Sequence, residues 1–312
     1  MTLDELHAMM ESFRSKRLLV IGDSIVDVQT YCEPVGLSAE TPTIVLRKLA
    51  TDEKRLRYDE ISLGGAALVV RNLLELGAKV DFLTYAGAGK DKHHIETFQS
   101  PRLTTHAIYP QQMSSKPVTV KQRFWADGYK LLQVDTRNDD PIDAATEQQA
   151  IMQYNILMGN FEKSHDAVVI ADYRHGFITE KMAGLFVKNT TDTPVYVSSQ
   201  MSQQQSNHHW YEYPDAIFVT NEKENRFSGA RIEKDRVITK GKLGAVRKSC
   251  GATLAITITP VDTCGAGDAF LAAYSLSNSL EFGNLWAGLS CTVKGANPPS
   301  VEMAESWVKE HQ

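Results

Sequence analysis

A chain of 312 residues, 42% of them hydrophobic, is long enough to bury one large α/β core, which excludes a disordered or fibrous class. Its net charge of -5 and pI near 6.0 exclude a broad nucleic-acid or anionic-membrane surface, so any basic site is local. The four cysteines (Cys32, Cys250, Cys264 and Cys291) lie far apart, with no C-x-x-C pair and no His doublet at ligand spacing, which fits a reduced, cytoplasmic protein.

In chain order, Leu3, Leu6, Met10 and Phe13 recur at helical spacing among Asp4, Glu5 and Glu11, which predicts an amphipathic helix rather than a secretory signal. No run of about 20 apolar residues, the length of a membrane span, occurs. Residues 17–21 read as a buried parallel strand ending in Gly22-Asp23, and open α/β sheets bind ligands at such strand ends. Residues 33–48, with Pro34, Gly36 and Pro42, are predicted irregular up to a strand-like 43–47. Gly64-Gly65 opens a helical pattern over 66–76, closed by Gly77, and a strand at 80–85 follows. Over 118–134 the pattern alternates. Thr119, Lys121, Arg123 and Trp125 share one face, Val118, Val120, Gln122 and Phe124 the other, and Asp127-Gly128 makes a hairpin turn, which sets this segment outside the parallel sheet. Strands at 168–171, 195–198, 216–220 and 236–239, with helical patterns at 146–161 and 179–188, predict a helix-covered parallel sheet. Without a linker, repeat or low-complexity tract, residues 1–312 form one domain with a small β-rich insertion.

The strongest chemical signal is Asp262-Thr263-Cys264-Gly265-Ala266-Gly267-Asp268, followed by an apolar helical run. Gly265 and Gly267 let backbone approach a phosphate closely, and the N–H groups of a helix start, with Ala266 between the glycines, make an anion hole. Asp268 falls in the first helical turn, where the positive helix end is expected to keep its carboxylate ionised at neutral pH, ready to accept a hydroxyl proton. Gly87-Ala88-Gly89-Lys90 is not a P-loop, because Thr84 stands at the first glycine position and Asp91 at the magnesium-binding hydroxyl. The pairs His93-His94 and His208-His209 diverge on any regular element and read as surface histidines.

The 262–268 motif, with Gly64-Gly65-Ala66-Ala67 and Gly22-Asp23-Ser24-Ile25-Val26-Asp27, resembles the ribokinase (phosphofructokinase-B) family of carbohydrate kinases over residues 17–301. Leu37-Ser-Ala-Glu-Thr-Pro-Thr-Ile-Val45 and Lys121-Gln-Arg-Phe-Trp-Ala-Asp-Gly-Tyr129 are similar to the heptose 7-phosphate kinases of lipopolysaccharide and capsule precursor synthesis. The resemblance implies a three-layer α/β/α fold, a mostly parallel central sheet, and a small β-rich lid from segments at about 30–50 and 107–135. It implies ATP and Mg²⁺, a small sugar or sugar-phosphate acceptor, and a homodimer without nucleic-acid or membrane partners. Asp268 is then the base; Asp27 and Asp23, with Gly64 and Gly65, face the sugar, and an N-cap or turn role competes for Asp23. Asn221 and Glu224 would serve magnesium, against a plain polar helix start. Thr239, Lys240, Gly241, Gly244 and Asn297 would contact nucleotide, against an ordinary strand-to-strand turn at 239–244. Lys121, Arg123 and Arg174 are candidates to clamp a phosphate already on the acceptor, against a solvated sheet face. Leu68 replaces the asparagine that many members carry after the Gly-Gly-Ala-Ala run, which removes one expected sugar contact. No H-x-G-H follows, so the nucleotidyltransferase activity fused to some heptose kinases is not expected of these residues. Kinases for ribose, fructose 1-phosphate or nucleosides, and a catalytically silent binding relative, are the alternatives.

Overall fold

The computed structural model describes residues 1–49, 59–110, 116–159, 165–188, 193–202, 205–228 and 236–311. Helix α1 (Leu3–Phe13) starts at a capping box in which Thr2 and Glu5 satisfy each other's backbone N–H groups, and it buries Leu6 and Phe13. Strand β1 (Arg17–Gly22) is followed after one residue by β2 (Ser24–Leu37), which belongs to a second sheet. Strands β3 (Ile44–Lys48) and β4 (Asp59–Gly65) pair antiparallel with β2, and α2 (Ala66–Glu75) carries the chain back to β5 (Lys79–Tyr85) beside β1. Next come α3 (Lys92–Glu96), edge strand β6 (Leu103–Ile108), and the hairpin of β7 (Thr119–Ala126) and β8 (Tyr129–Thr136), which joins β2. The chain then alternates through α4 (Ala144–Met158), β9 (Ala167–Asp172), α5 (Glu180–Lys188), β10 (Val195–Ser199), β11 (Ala216–Asn221), α6 (Glu222–Arg226) and β12 (Arg236–Thr239). It closes with β13 (Ala245–Arg247), β14 (Gly251–Thr253), α7 (Ala266–Ser277), α8 (Leu280–Ser290) and α9 (Val301–Glu310).

The large sheet has the order β14-β13-β12-β11-β10-β9-β1-β5-β6, parallel from β6 to β12 and antiparallel at β13 and β14. Both faces are buried, which is why its central strands are continuous apolar runs. Leu18, Val20 and Phe82 pack with Phe13, Val70, Phe270 and Leu285 on one side; Leu19, Ile21 and Leu83 pack with Tyr154 and Phe186 on the other. The result is the expected three-layer α/β/α fold, and each such buried side chain contributes about 1.5–3 kcal/mol. The small sheet, β3-β2-β7-β8 with β4 on β2, is the expected β-rich layer. Among the described residues no helix is long and apolar enough to cross a membrane.

Two expectations about the fold are corrected. His208, read as a surface histidine, is 1% exposed, with its ring against the Ser199 carbonyl at 3.1 Å and Arg236 Nη1 at 3.0 Å. Residues 33–37, predicted irregular, continue β2, because Pro34 and Gly36 fall at a register shift against β3, where the ladder tolerates a missing donor. Residues 160–161 of the predicted helix, and residues 50 and 111–115 of the lid segments, lie outside the described residues.

Candidate active site

The junction of the two sheets lies at the carboxyl end of β1, and the motif at 262–268 converges on it. Asp262 Oδ1 accepts the Cys264 N–H at 2.9 Å, tightening the loop that enters α7. Gly265 is the N-cap of α7 with φ of 85°, and a Cβ there would stand 2.6 Å from Leu68 Cδ2, so only glycine makes this bend. Around Gly267 a Cβ would meet nothing within 4 Å: the bend is open to a ligand. The Gly267 and Asp268 N–H groups have no backbone acceptor among the described residues, as expected of a first helical turn.

Asp268 is half-buried, and its Oδ1 accepts a hydrogen bond from the Tyr173 hydroxyl. Burial pushes its carboxyl up to about 7; the charges of Asp27 and Glu224 add to the rise, while the Tyr173 bond and Lys121 oppose it. The helix end therefore does not hold this carboxylate firmly ionised, contrary to the sequence expectation, because desolvation outweighs the dipole. Tyr173 is pushed well above its usual range by the same burial and by Asp268 itself, so it stays a donor.

Asp27 comes from β2 and is 4% exposed. Its Oδ1 pairs with Arg123 Nη1 at 2.5 Å, from the adjacent parallel strand β7. Gly64, opposite Ile25, makes room for this carboxylate: a Cβ on Gly64 would lie 2.0 Å from Asp27 Oδ2. Gly65 then turns with φ of 62° to start α2. Asp23 is engaged differently. Its oxygens accept the N–H groups of Tyr173 at 3.0 Å, Phe177 at 3.1 Å and His175 at 3.4 Å, so it organises the turn after β9, and the turn role foreseen for it is what the geometry shows. Burial and the neighbouring Asp172 raise its pKa, while Lys116 and the backbone donors pull it back.

The three candidate phosphate-clamp residues part company. Arg123 is committed to Asp27, and its Nε donates to Gln133 at 3.1 Å. Arg174, with φ of 61°, lays its guanidinium 5.2 Å from the Trp210 ring centre and toward the Gln205 carbonyl at 3.5 Å. Lys121 lies opposite Asp27 in the β2–β7 register, and its side chain makes no hydrogen bond or ion pair among the described residues.

Asn221 and Glu224 form a capping box at α6: Asn221 Oδ1 accepts the Glu224 N–H at 2.8 Å, and Glu224 Oε2 accepts the Asn221 N–H at 3.0 Å. Burial raises the Glu224 carboxyl. The other Glu224 oxygen has no hydrogen bond among the described residues, and no cluster of three metal-binding side chains occurs among them. Thr239 pairs with Asn221 across β11 and β12, and residues 240–244 make the tight turn into β13, closed by Lys240 N–H to the Gly244 carbonyl at 2.7 Å. Lys240 Nζ stands 4.0 Å from Glu222. Asn297 is held by its neighbours: Oδ1 accepts Arg71 Nη2 at 2.5 Å and Nδ2 donates to the Lys294 carbonyl at 2.9 Å, so its amide braces this loop against α2.

Sequence reasoning missed Tyr173, Arg71, Lys116 and His175. One signal was available for Tyr173 and His175: the stretch Asp172-Tyr173-Arg174-His175 lies at the carboxyl end of a predicted strand, where sites in such sheets form. Lys116 and Arg71 carried no local signal, since their partners lie far along the chain.

A family model described as pfkB family carbohydrate kinase matches residues 16–303. The bifunctional protein HldE of Nitratiruptor sp. is 23% identical over 93% of this chain, and that of Campylobacter jejuni (strain RM1221) 26% identical over 86%. The alignments span 64% and 58% of those proteins, so the chain covers less than two-thirds of their length. Among solved structures, phosphofructokinase-2 from Escherichia coli in complex with potassium superposes with a TM-score of 0.70 at 12% identity, over 94% of this chain and 99% of that one. Ribokinase from Arabidopsis thaliana, complexed with ribose and ATP, gives 0.62 at 15% identity over 94% and 99%. These likenesses at low identity establish the ribokinase-like fold.

Proposed function

Because the chain belongs to the pfkB family of carbohydrate kinases, we propose that it transfers the γ-phosphoryl group of ATP to a hydroxyl of a sugar phosphate, with a heptose 7-phosphate as acceptor. The observation that carries this reading is Asp268, half-buried beside the open Gly267 bend and held by the Tyr173 hydroxyl. The acceptor hydroxyl enters between Asp27 and Asp268. As its oxygen bonds to the γ-phosphorus, its proton passes to Asp268, the bond from that phosphorus to the bridging oxygen breaks, and ADP leaves with the electron pair. The N–H groups of Gly267 and Asp268, with Gly265 and Ala266 shaping the bend, neutralise the transferred group. The turn Thr239, Lys240, Gly241 and Gly244 adjoins Asn221 and is the proposed nucleotide contact.

Magnesium, when bound, supplies charge neutralisation at the phosphates, and the unbonded Glu224 oxygen beside Asn221 suits an ion that keeps most of its waters. The HldE relatives support the heptose phosphate. ATP use supports a cytoplasmic protein. A homodimer through the small sheet is supported by the apolar stripe of Ile61, Phe124, Leu132 and Val134 on the face away from Asp27.

The test is a panel of acceptors (heptose 7-phosphate, free heptose, ribose, fructose 1-phosphate, adenosine) with ATP and Mg²⁺, following ADP release. Turnover should be fastest with heptose 7-phosphate and fall by roughly 10²- to 10⁴-fold in Asp268→Asn. Undiminished turnover in that variant, or none with any acceptor, would overturn the assignment.

A further inference from the structure

Two buried carboxylates fasten the turn after β9. Asp23, at the crossing from β1 into β2, takes the Tyr173 and His175 N–H groups on Oδ2 and that of Phe177 on Oδ1. Asp172, the last residue of β9, takes the Arg174 N–H at 2.8 Å on one oxygen, and the Ser199 hydroxyl, the Asn207 amide and the Tyr211 hydroxyl on the other. Lys116 donates to the His175 carbonyl from the side of the small sheet. From this bracket the Tyr173 side chain reaches across to Asp268, where its hydroxyl donates to Oδ1.

A continuous path of contacts therefore joins Asp23 to Asp268: carboxylate, Tyr173 N–H, aromatic ring, hydroxyl, carboxylate. A hydroxyl aims at a catalytic group only while its own backbone is held to within about 0.5 Å. Three backbone donors on two oxygens suit an ionised carboxylate, which is acceptor only. The charged groups acting on Asp23 are Asp172, which opposes its ionised form, and Lys116, which favours it; Lys116 and His175 also line the small cavity at its side. With both oxygens on the turn, Asp23 is not free to hold the acceptor, unlike Asp27.

We propose that Asp23 is a positioning residue for phosphoryl transfer: its carboxylate fixes the turn so that the Tyr173 hydroxyl stays on Asp268 and favours the charged form of the base. The inference rests on the reading of Asp268 as that base. Two consequences of losing the Asp23 charge have opposite signs. Deleting a negative charge favours ionisation of another carboxyl and lowers its pKa, whereas releasing Tyr173 takes a donor from the Asp268 carboxylate and raises it. The direction in which the acid limb of the rate profile moves therefore separates positioning from charge alone.

The experiment records kcat, KM and kcat/KM against pH, with ATP, Mg²⁺ and the best acceptor of the panel. It compares the wild type, Asp23→Asn, Tyr173→Phe and the double variant, with the thermal midpoint of each confirming folding. Asp23→Asn keeps the shape but only one acceptor oxygen. It should move the acid limb up by about 0.5–1 unit, a roughly three- to tenfold loss of kcat/KM below neutrality, and leave the acceptor KM within about twofold. In the Tyr173→Phe background the same change should add less than about 0.2 unit, because no hydroxyl is left to aim. A limb that stays or moves down, an equal shift in both backgrounds, or a raised KM with unchanged kcat would remove the inference and leave Asp268 as the base. Asp23→Ser replaces the amide variant if that one does not fold; failure of both to fold would make Asp23 a residue of stability alone and remove the inference as well. Full activity in Asp268→Asn, or no turnover with any acceptor, would bring down the base reading itself and this inference with it.

Discussion

Asp268 shows how far a single residue was legible. Its place after Gly265 and Gly267 is local, so the sequence revealed both the bend and the carboxylate at the helix start. Its protonation was not legible, because that depends on burial and on Tyr173, 95 residues away. With a carboxyl near 7, the proposed base would be fully ionised only above neutrality, and kcat/KM should fall as pH drops through that value. Tyr173→Phe removes a hydrogen bond that favours the charged form. A bond to a charged group is worth about 1.5–3 kcal/mol, and one pKa unit corresponds to about 1.4, so the acid limb should move up by at least about one unit. A pH–rate profile of this variant that superposes on the wild type would show that the hydroxyl does not tune the base.

At the level of elements, strongly patterned segments such as β1, β5, β7, β9 and α2 were readable because their neighbours bury them in keeping with their own periodicity. Others were not. Helix α8 contains Gly283 and Gly288, which lower helix propensity, yet a Cβ at Gly283 would sit 2.8 Å from the Phe270 ring, so close packing on α7 explains the residue that obscured the helix. Strand β6 lies at the sheet edge and offers only a short, mixed pattern. The small sheet carries a prediction of its own. Ile61, Leu132 and Val134 are 48%, 55% and 45% exposed on the face away from the site, an apolar surface that a second copy would cover. The protein should sediment as a dimer at micromolar concentration, and Leu132→Asp combined with Ile61→Asp should leave a folded monomer. A monomeric wild type would remove the proposed assembly.

Across the whole molecule, the parallel character followed from the alternation of strands and helices, but the strand order and the partnership of β7 with β2 did not, since pairing between distant segments leaves no local trace. Nor did the buried cluster that ties these segments together. Asp81 of β5 is 1% exposed; it accepts Arg17 Nε of β1 at 2.5 Å, pairs with His106 of β6 at 3.1 Å, and pairs with His165, just before β9, at 2.9 Å. Burial alone would raise its carboxyl, yet the hydrogen bonds from the two histidines and Arg17 prevail and hold it far below the usual range. A depressed carboxyl contributes stability that is fully present above the unfolded pKa of about 3.9 and is lost as pH falls toward the folded value. Asp81→Asn should therefore cost about 3–5 kcal/mol in urea unfolding at pH 7, with the gap to the wild type narrowing as pH falls below about 4. A gap that stays constant with pH would mean that the charge of Asp81 is not what stabilises the fold.

The passage from β1 into β2 leaves no slack: Asp23 alone separates them, and β2 continues directly to Asp27. Successive side chains of a strand point to opposite sides, so one extra residue inserted at this crossing would turn Asp27 outward and bring its neighbour to face Arg123. An added residue would be better accommodated at residues 38–43, between β2 and β3, while the spacing from Gly22 to Asp27 acts as a ruler that sets Asp27 against the end of the large sheet.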